Sequence, residues 1–314
     1  MKDLSINFPL DEFQKLIIDI GWESMDDWIN FWNDQKDILS IDQFWSKKVN
    51  DDWIWGLALP LLSQAYKFQN NFSDRKIIGI SALPGTGKTT LGKWLEAISY
   101  KLNFKISVIS IDDFYLPSDE MKLVIKNNPW NVSRGFPGTH SVNLMHEKLL
   151  NWKINGDLNV PVFDKSLRNG LGDRSHWRTE NPDLLIIEGW FLGIEPLSSD
   201  TNDQHIKSSK LSLKESFYGY KIQENLHKYI DVWSLIDNIW HLKPLRFDYM
   251  NMWKSNQEKE MFLQKGNALQ DEKLSNFLRM LNVSIPHQCF DDINSYALLL
   301  IDQNRNLVEV RLNN

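Results

Sequence analysis

A glycine-rich segment that ends in lysine and threonine carries the clearest chemical signal in the sequence. It reads ALPGTGKT at 82–89 and differs from the phosphate-binding pattern G-x-x-x-x-G-K-[ST] only at its first position, which is Ala82. Gly85 and Gly87 let backbone N–H groups curl around an anion, and Lys88 can reach the β- and γ-phosphates. The Thr89 hydroxyl suits Mg²⁺. The segment therefore predicts a site for a nucleoside triphosphate.

Two acidic residues follow predicted strands that would lie beside this loop. Asp112 comes directly after a β-branched run at 106–111, and Glu188 ends the apolar run at 184–188. A carboxylate at the carboxyl end of a parallel strand opens into the active crevice. We predict that Asp112 accepts the proton of an attacking hydroxyl, with Asp113 in a supporting or metal-shell role. Glu188 is predicted to hold Mg²⁺, directly or through water.

Two glycine-containing segments between these acids carry residues suited to an anionic acceptor. The first, RGFPGTH at 134–140, offers Arg134 as a bidentate partner for a small carboxylate. The second, PVFDKSLRNGLGDR at 161–174, is predicted to be a mobile basic flap that excludes water and neutralises developing charge. Phe114 and Tyr115 are predicted to pack. The substrate-side and flap residues are Asp113, Tyr115, Arg134, His140, Asp164, Lys165, Arg168 and Arg174.

The elements around these residues predict an α/β fold. A strand at 76–81, the loop, a helix and the strand at 106–111 form a βαβ unit, hence a mainly parallel sheet in three α/β/α layers. Residues 1–72 are predicted to be a helical N-terminal extension, and 73–314 the catalytic domain. Further strands are expected at 159–163, 184–188, 238–242 and 297–301, a closing hairpin strand at LVEVRL, and a surface loop at 198–216.

Composition excludes several classes of protein. The 314 residues carry a net charge of −6 with no basic excess, which argues against a nucleic-acid partner. Cys289 is the single cysteine, so neither an internal disulfide nor a zinc site is expected, and a reducing compartment is favoured. No apolar run approaches a membrane span and no leader is evident, so the expected location is cytoplasmic. Most of the 14 tryptophans are expected to be packing anchors.

The motifs together resemble the D-glycerate 3-kinase family of plants, fungi and cyanobacteria. These enzymes are P-loop kinases related to pantothenate kinase, uridine kinase and phosphoribulokinase. The resemblance runs from about Lys76 to the C-terminus. The segments that carry it are SALPGTGKTTL, SIDDFYLP, NPWNVSRGFPGTHSVNL, VPVFDKSLRNGLGDR, LLIIEGWFLG and YMNMWKSNQE.

The resemblance implies that ATP and D-glycerate react to give ADP and 3-phosphoglycerate, with Mg²⁺ as cofactor. It places the base at Asp112, the acceptor-side turn at 134–140 and the metal-associated acid at Glu188. Catalytic roles fall on Lys88, Asp112 and Arg134. Its nucleotide-binding residues correspond to Pro84, Gly85, Thr86, Gly87, Lys88, Thr89 and Thr90.

The chain departs from the family pattern at three places. The proline of the phosphate loop comes one residue later, at Pro84, the usual Asp after Thr-His is Ser141, and the usual Arg after the C-terminal tryptophan is Lys254. Two alternatives stay open. One is a kinase of the same fold for pantothenate, a nucleoside or a pentose phosphate; the other is a regulatory protein that binds ATP and transfers nothing. The sequence leaves the oligomeric state open.

Overall fold

A six-stranded sheet forms the centre of the molecule. The computed structural model describes residues 6–39, 44, 50–71, 74–266 and 268–313, and the strand order is β2-β5-β1-β6-β7-β8. The first five of these strands are parallel, and β8 is antiparallel at one edge. The strands are β1 (Ile77–Ala82), β2 (Ile106–Ser110), β3 (Leu158–Asp164), β4 (Asp173–Glu180), β5 (Leu184–Gly189), β6 (Asn238–Pro244), β7 (Ala297–Ile301) and β8 (Leu307–Leu312).

Helices cover both faces of the sheet, as the three-layer prediction requires. No helix in the described ranges is long and apolar enough to cross a membrane. The helices are α1 (Leu10–Asp19), α2 (Met25–Asp34), α3 (Lys36–Leu39), α4 (Asp51–Trp53), α5 (Leu59–Asn71), α6 (Lys88–Lys101), α7 (Ser118–Ile125), α8 (Val142–Asn155), α9 (Ser199–Ser208), α10 (Leu213–His227), α11 (Ile230–Trp233), α12 (Tyr249–Lys265), α13 (Asp271–Val283) and α14 (Gln288–Asp291).

The N-terminal helices share one hydrophobic core with the sheet. Phe13 of α1, Trp28 of α2 and Leu62 of α5 belong to the cluster that also contains Leu91 of α6 and Trp240 of β6. The helical prediction for this region is confirmed where it is described; its residues 1–5, 40–43, 45–49 and 72 lie outside the described residues. Helices α8, α10, α11 and α13 contribute to a second cluster on the opposite face.

Most tryptophans are packing anchors, as expected. The fully buried ones are Trp28, Trp32, Trp94, Trp152, Trp240 and Trp253. Trp28 and Trp32 both donate their indole N–H to Ser63 Oγ over 2.8 Å, and Trp240 donates to Gln64 Oε1 over 2.8 Å. Each of these three buried indoles thereby avoids an unsatisfied polar group.

Strands predicted from apolar runs match the structure closely, but β3 lies outside the central sheet. It pairs antiparallel with β4 in a separate two-stranded sheet. Strand β4 was not predicted because its sequence, DRSHWRTE, has Trp177 as its one apolar residue, and none of its positions is buried in the structure. The segment predicted to be a flap at 161–174 is therefore the tip of a β-hairpin.

The prediction of a surface loop at 198–216 is wrong. Residues Ser199–Ser208 form α9, and α10 begins at Leu213. The Ser198 side chain accepts the Thr201 N–H, and Ser212 and Glu215 form a reciprocal capping box. Polar composition alone suggested a loop, whereas these caps satisfy N–H groups in the first turns of two helices.

Replacing Glu215 with glutamine is expected to destabilise the protein. The buried carboxylate accepts hydrogen bonds from Trp130 Nε1 (3.1 Å) and from Arg279 Nε (2.8 Å) and Nη2 (2.9 Å). Hydrogen bonding to Arg279 lowers the pKa of Glu215 to about 2. Losing the charge at neutral pH should reduce the free energy of unfolding by about 1–3 kcal/mol.

The pH dependence of this effect has a definite sign. A carboxyl group whose pKa is lower in the folded than in the unfolded protein stabilises the fold at pH values above its unfolded-state pKa. This stabilisation disappears as the pH falls through the folded-state pKa. The difference between wild type and Glu215→Gln in urea unfolding should therefore be full at pH 7 and shrink between the ordinary carboxyl pKa of 4.5 and about 2. Glu147→Gln, at an exposed residue paired with its neighbour Lys148, is the control. A difference independent of pH would contradict the account.

Candidate active site

The predicted functional residues converge at the carboxyl ends of three adjacent strands. In the sheet register Glu188 of β5 lies opposite Ile80 of β1 on one side and Ser110 of β2 on the other. The phosphate loop follows β1, and Asp112 lies two residues after the end of β2. Parallel pairing therefore brings the loop and both acids to one edge of the sheet.

The phosphate loop has the backbone that anion binding requires. Gly85 and Gly87 have positive φ values of 80° and 107°, and α6 begins at Lys88, so its N-terminus faces the loop. A Cβ on Gly85 would lie 2.7 Å from the backbone of Trp253, so only glycine allows α12 to lie this close. The Thr86 hydroxyl bonds inside the loop to the Leu83 carbonyl, whereas Thr89 is exposed.

Lys88 and Glu188 form a buried pair. Lys88 Nζ donates to the carbonyl oxygens of Ala82 (2.7 Å) and Leu83 (3.2 Å) and lies 3.9 Å from Glu188 Oε2. Burial lowers the pKa of Lys88 and raises the pKa of Glu188. Each charge is therefore costly without a partner. Incoming phosphates would stabilise the Lys88 ammonium, and an incoming cation would stabilise the Glu188 carboxylate.

Asp112 is bonded to the tip of the β3–β4 hairpin. Lys165 Nζ donates to Asp112 Oδ2 over 2.7 Å, joining residues 53 apart in the sequence. Burial acts to raise the pKa of Asp112, but the Lys165 charge and the nearby His140 outweigh it and hold this pKa well below its usual range. Asp112 is thus ionised at neutral pH, as a proton acceptor must be.

Asp113 is used to shape the turn that presents Asp112. Its Oδ2 accepts the Ser110 N–H over 3.0 Å, and Ser110 Oγ accepts the Asp112 N–H over 3.2 Å. This capping box opens a 3₁₀ turn at Ile111–Phe114. The carboxylate of Asp113 is therefore engaged with backbone.

The acceptor-side turn contacts the hairpin tip. Arg134 Nη1 donates to the carbonyl oxygens of Gly170 and Leu171, both over 2.8 Å. Arg174 Nη2 donates to Ser141 Oγ over 2.6 Å, so the residue that departs from the family pattern still binds the hairpin. These bonds hold the tip over the same edge of the sheet as the phosphate loop.

The remaining predicted hairpin residues make local contacts. Asp164 Oδ1 accepts from both the N–H and the hydroxyl of Ser166, and Arg168 Nε donates to Asp173 Oδ2 over 3.0 Å. Arg168 is largely exposed, with a positive φ of 53° at the bend. Both residues therefore shape the hairpin tip in this conformation rather than contacting Asp112.

Two residues near the site had little or no signal in the sequence. Tyr229 lies between α10 and α11, yet its hydroxyl forms a hydrogen bond with His140 Nδ1 over 2.8 Å. Trp53 of α4 lies 3.9 Å from the point where a Cβ on Gly87 would stand, so the N-terminal region borders the phosphate loop. Only tertiary contacts show that Tyr229 and Trp53 lie near the site. In the sequence, the large number of tryptophans was the one feature that pointed towards Trp53.

Lys254, which stands where the family pattern has Arg, adds a further cation near Lys88 and Lys165. Its Nζ lies 2.5 Å from Glu258 Oε1, and burial lowers its pKa. The charges of Lys165 and Asp112 also act on it. Lys254 is therefore close enough to the site to stabilise an anion there.

The oxygen atoms at this edge fit a magnesium ion that is held mainly by phosphates. Within the described ranges no group of three or more His, Cys, Asp or Glu side chains could hold a metal on its own. Mg²⁺ in nucleotide sites commonly takes one or two protein oxygens, with phosphates and water completing the shell. The Glu188 carboxylate and the exposed Thr89 hydroxyl supply such a donor set.

Known proteins similar to this chain are kinases. The uncharacterized kinase mug58 of Schizosaccharomyces pombe is 30% identical over 250 residues, covering 73% of this chain and 88% of its own length. The chloroplastic D-glycerate 3-kinase of Arabidopsis thaliana is 31% identical over 215 residues, covering 64% of this chain but only 45% of that enzyme. No family model matches the sequence.

Solved structures show the same fold. The D-glycerate 3-kinase of Cryptococcus neoformans superposes with a TM-score of 0.70 at 24% identity, covering 83% of this chain and 99% of that one. The architecture and the phosphate loop, together with the similarity to the kinase mug58, show that the chain is a P-loop kinase. More narrowly, the chain belongs to the glycerate-kinase-like family of P-loop kinases.

Proposed function

We propose that the protein transfers the γ-phosphoryl group of ATP to the 3-hydroxyl of D-glycerate, giving ADP and 3-phosphoglycerate. The observation that carries this proposal is the position of Asp112 at the strand edge beside the phosphate loop, hydrogen-bonded to Lys165 of the hairpin. A similar enzyme from Arabidopsis thaliana is named for D-glycerate, which supports this acceptor.

The nucleotide would bind along the loop from Pro84 to Thr90. Lys88 would exchange its bonds to the Ala82 and Leu83 carbonyls for phosphate oxygens. Mg²⁺, with Thr89 and Glu188 as its protein ligands, would neutralise phosphate charge when bound. The positive N-terminal end of α6 would also stabilise the charge of the phosphates.

Asp112 would take the proton of the glycerate 3-hydroxyl. The hydroxyl oxygen then forms a bond to the γ-phosphorus while the bond to the β-phosphate oxygen breaks, and that electron pair leaves with ADP. Lys165 must first release Asp112, and the incoming γ-phosphate gives its ammonium another anionic partner. Lys165 would thus move from the base to the transferred group.

Arg134 would bind the glycerate carboxylate. It lies in the turn that leads to His140, and one of its nitrogen atoms already bonds the hairpin tip. A guanidinium can bind a carboxylate through two further N–H groups in one plane. Tyr115 and His140 lie in contact with each other beside Asp112 and would form the wall of the acceptor site.

Identification of the product tests this proposal. The purified protein should convert D-glycerate and Mg·ATP to 3-phosphoglycerate, recognised by phosphorus NMR against the 2-phosphate isomer. L-glycerate is the matched control, because it presents the same groups with the opposite configuration. Formation of 2-phosphoglycerate would refute the assignment of the 3-hydroxyl, and no phosphorylated product would refute the acceptor.

Replacing Lys165 with methionine is expected to slow transfer and shift its pH dependence. Losing a cation near the transferred group should lower kcat by about 10²-fold. Since Lys165 helps hold the pKa of Asp112 down, its removal should raise that pKa and move the acid limb of the kcat/KM profile to higher pH. Lys122→Met, at an exposed residue paired with Asp119, is the control. An acid limb at an unchanged pH would contradict the assignment of Asp112.

A further inference from the structure

We infer that Tyr229 fixes His140 in the tautomer that carries its proton on Nε2, so that His140 presents an N–H donor to the acceptor oxygen beside Asp112. Tyr229 is then a positioning residue, and His140 contacts the substrate. The inference rests on the proposed function for the identity of the acceptor. The tautomer itself is a property of the free protein.

The hydrogen bonds of Tyr229 determine the direction of its O–H. The side chain is completely buried, and its hydroxyl oxygen contacts two groups, the Gly138 N–H at 3.1 Å and His140 Nδ1 at 2.8 Å. A backbone N–H can only donate, so the hydroxyl accepts from Gly138. The one hydroxyl proton is then free to be donated to Nδ1.

The position of the proton on the His140 ring follows from the direction of the Tyr229 hydrogen bond. Burial lowers the pKa of His140, so the ring is neutral at pH 7 and carries one N–H. Because Nδ1 accepts the Tyr229 proton, that N–H is on Nε2. If Nδ1 carried the proton instead, this bond would run in the reverse direction, and the buried Tyr229 O–H would be left without an acceptor among its contacts in the described part of the chain.

The Nε2 atom is aimed at the proposed base but lies beyond hydrogen-bond distance of it. It is buried, makes no hydrogen bond within the described part of the chain, and lies 4.0 Å from Asp112 Oδ1. This distance is too long for a hydrogen bond. A buried donor without a partner is costly, and an oxygen atom of a bound acceptor beside Asp112 would satisfy it.

Neighbouring side chains hold the ring in this orientation. The Tyr115 ring stacks on His140 with centroids 4.5 Å apart and planes 20° apart, and Phe191 meets it edge-on at 5.6 Å. The backbones of Tyr115 and His140 also form a β-bridge. Gly138 has a positive φ of 98°, and a Cβ there would lie 2.3 Å from Asn225 Nδ2, so glycine is needed to bring its N–H to Tyr229.

Nitrogen NMR of histidine-labelled protein reads the tautomer directly, without substrate. Replacing His140 with glutamine identifies its signal among the seven histidines. Wild type should show His140 protonated on Nε2, and Tyr229→Phe should lose this fixed state. Tyr218→Phe is the matched control, because it removes another buried tyrosine hydroxyl, one that bonds Val124 O instead. Protonation on Nδ1 in wild type would overturn the inference whichever acceptor the enzyme uses.

Kinetics test the consequence for transfer. Tyr229→Phe should lower kcat about tenfold, the equivalent of one lost hydrogen bond, with little change in the KM for ATP. His140→Gln should retain most activity, since its amide N–H can occupy the position of Nε2, whereas His140→Asn should not. Equal losses in the glutamine and asparagine variants, or an unchanged kcat in Tyr229→Phe, would refute the donor role. Absence of glycerate turnover in wild type would refute the acceptor and leave the tautomer result standing.

Discussion

Replacing Asp112 with asparagine is expected to lower kcat by about 10²–10⁴-fold while leaving ATP binding nearly unchanged. Asparagine keeps the size of the side chain and can still orient a hydroxyl, but it cannot accept the proton. The proposed nucleotide contacts belong to the loop after β1, so the Kd for ATP should be retained.

Lys165 makes this experiment more specific. In Asp112→Asn the ammonium loses its anionic partner, which lies 2.7 Å away in wild type. If the two residues act as one unit, the double variant Asp112→Asn with Lys165→Met should be little slower than Asp112→Asn alone. Asp119→Asn, at an exposed carboxylate on α7, is the control. Normal turnover by Asp112→Asn would exclude Asp112 as the base.

Replacing Lys88 with alanine is expected to lower kcat by about 10³-fold and to weaken ATP binding as well. Lys88 Nζ lies 3.9 Å from Glu188 Oε2, and the residue stands at the start of α6, where the phosphates would bind. Its loss removes a charge from the β- and γ-phosphates. It also leaves the Glu188 carboxylate without this nearby cation, which should raise the pKa of Glu188 further.

The two variants therefore differ in their binding signature. Lys88→Ala should raise the Kd for ATP, measured by calorimetry, whereas Asp112→Asn should not. Lys93→Ala, at an exposed lysine on the same helix, controls for changes in helix propensity. Equal ATP affinity in Lys88→Ala and wild type would contradict the assigned position of the phosphates.

Local sequence patterns pointed to the candidate residues of the site, but they did not predict the contacts that those residues make. The phosphate loop matches a known motif, and the strands before Asp112 and Glu188 are short runs rich in β-branched or apolar residues, so the edge where they meet could be predicted from the order of elements. The bond from Lys165 to Asp112 could not, because it depends on how a polar hairpin folds over the sheet. Tyr229 and His140, 89 residues apart, have no pattern that links them.

Errors in the fold prediction have a common cause. Strand β4 and helix α9 are both polar, so neither shows the apolar spacing from which strands and helices are predicted. Pairing with β3 determines the first, and capping by Ser198 determines the start of the second. Asp113 was not such an error: its Oδ2 accepts the Ser110 N–H in the turn that carries Asp112, which is compatible with the predicted supporting role, and a part in catalysis stays a prediction.

ADP release in the presence of Mg·ATP, measured across a panel of acceptors, tests the proposed function most directly. The panel comprises D-glycerate, L-glycerate, pantothenate, uridine, ribulose 5-phosphate and no acceptor. Strong stimulation by D-glycerate alone is the expected result. Stimulation by another acceptor would retain the kinase and refute the substrate, and ATP binding without stimulation by any acceptor in the panel would contradict the proposed transfer to glycerate.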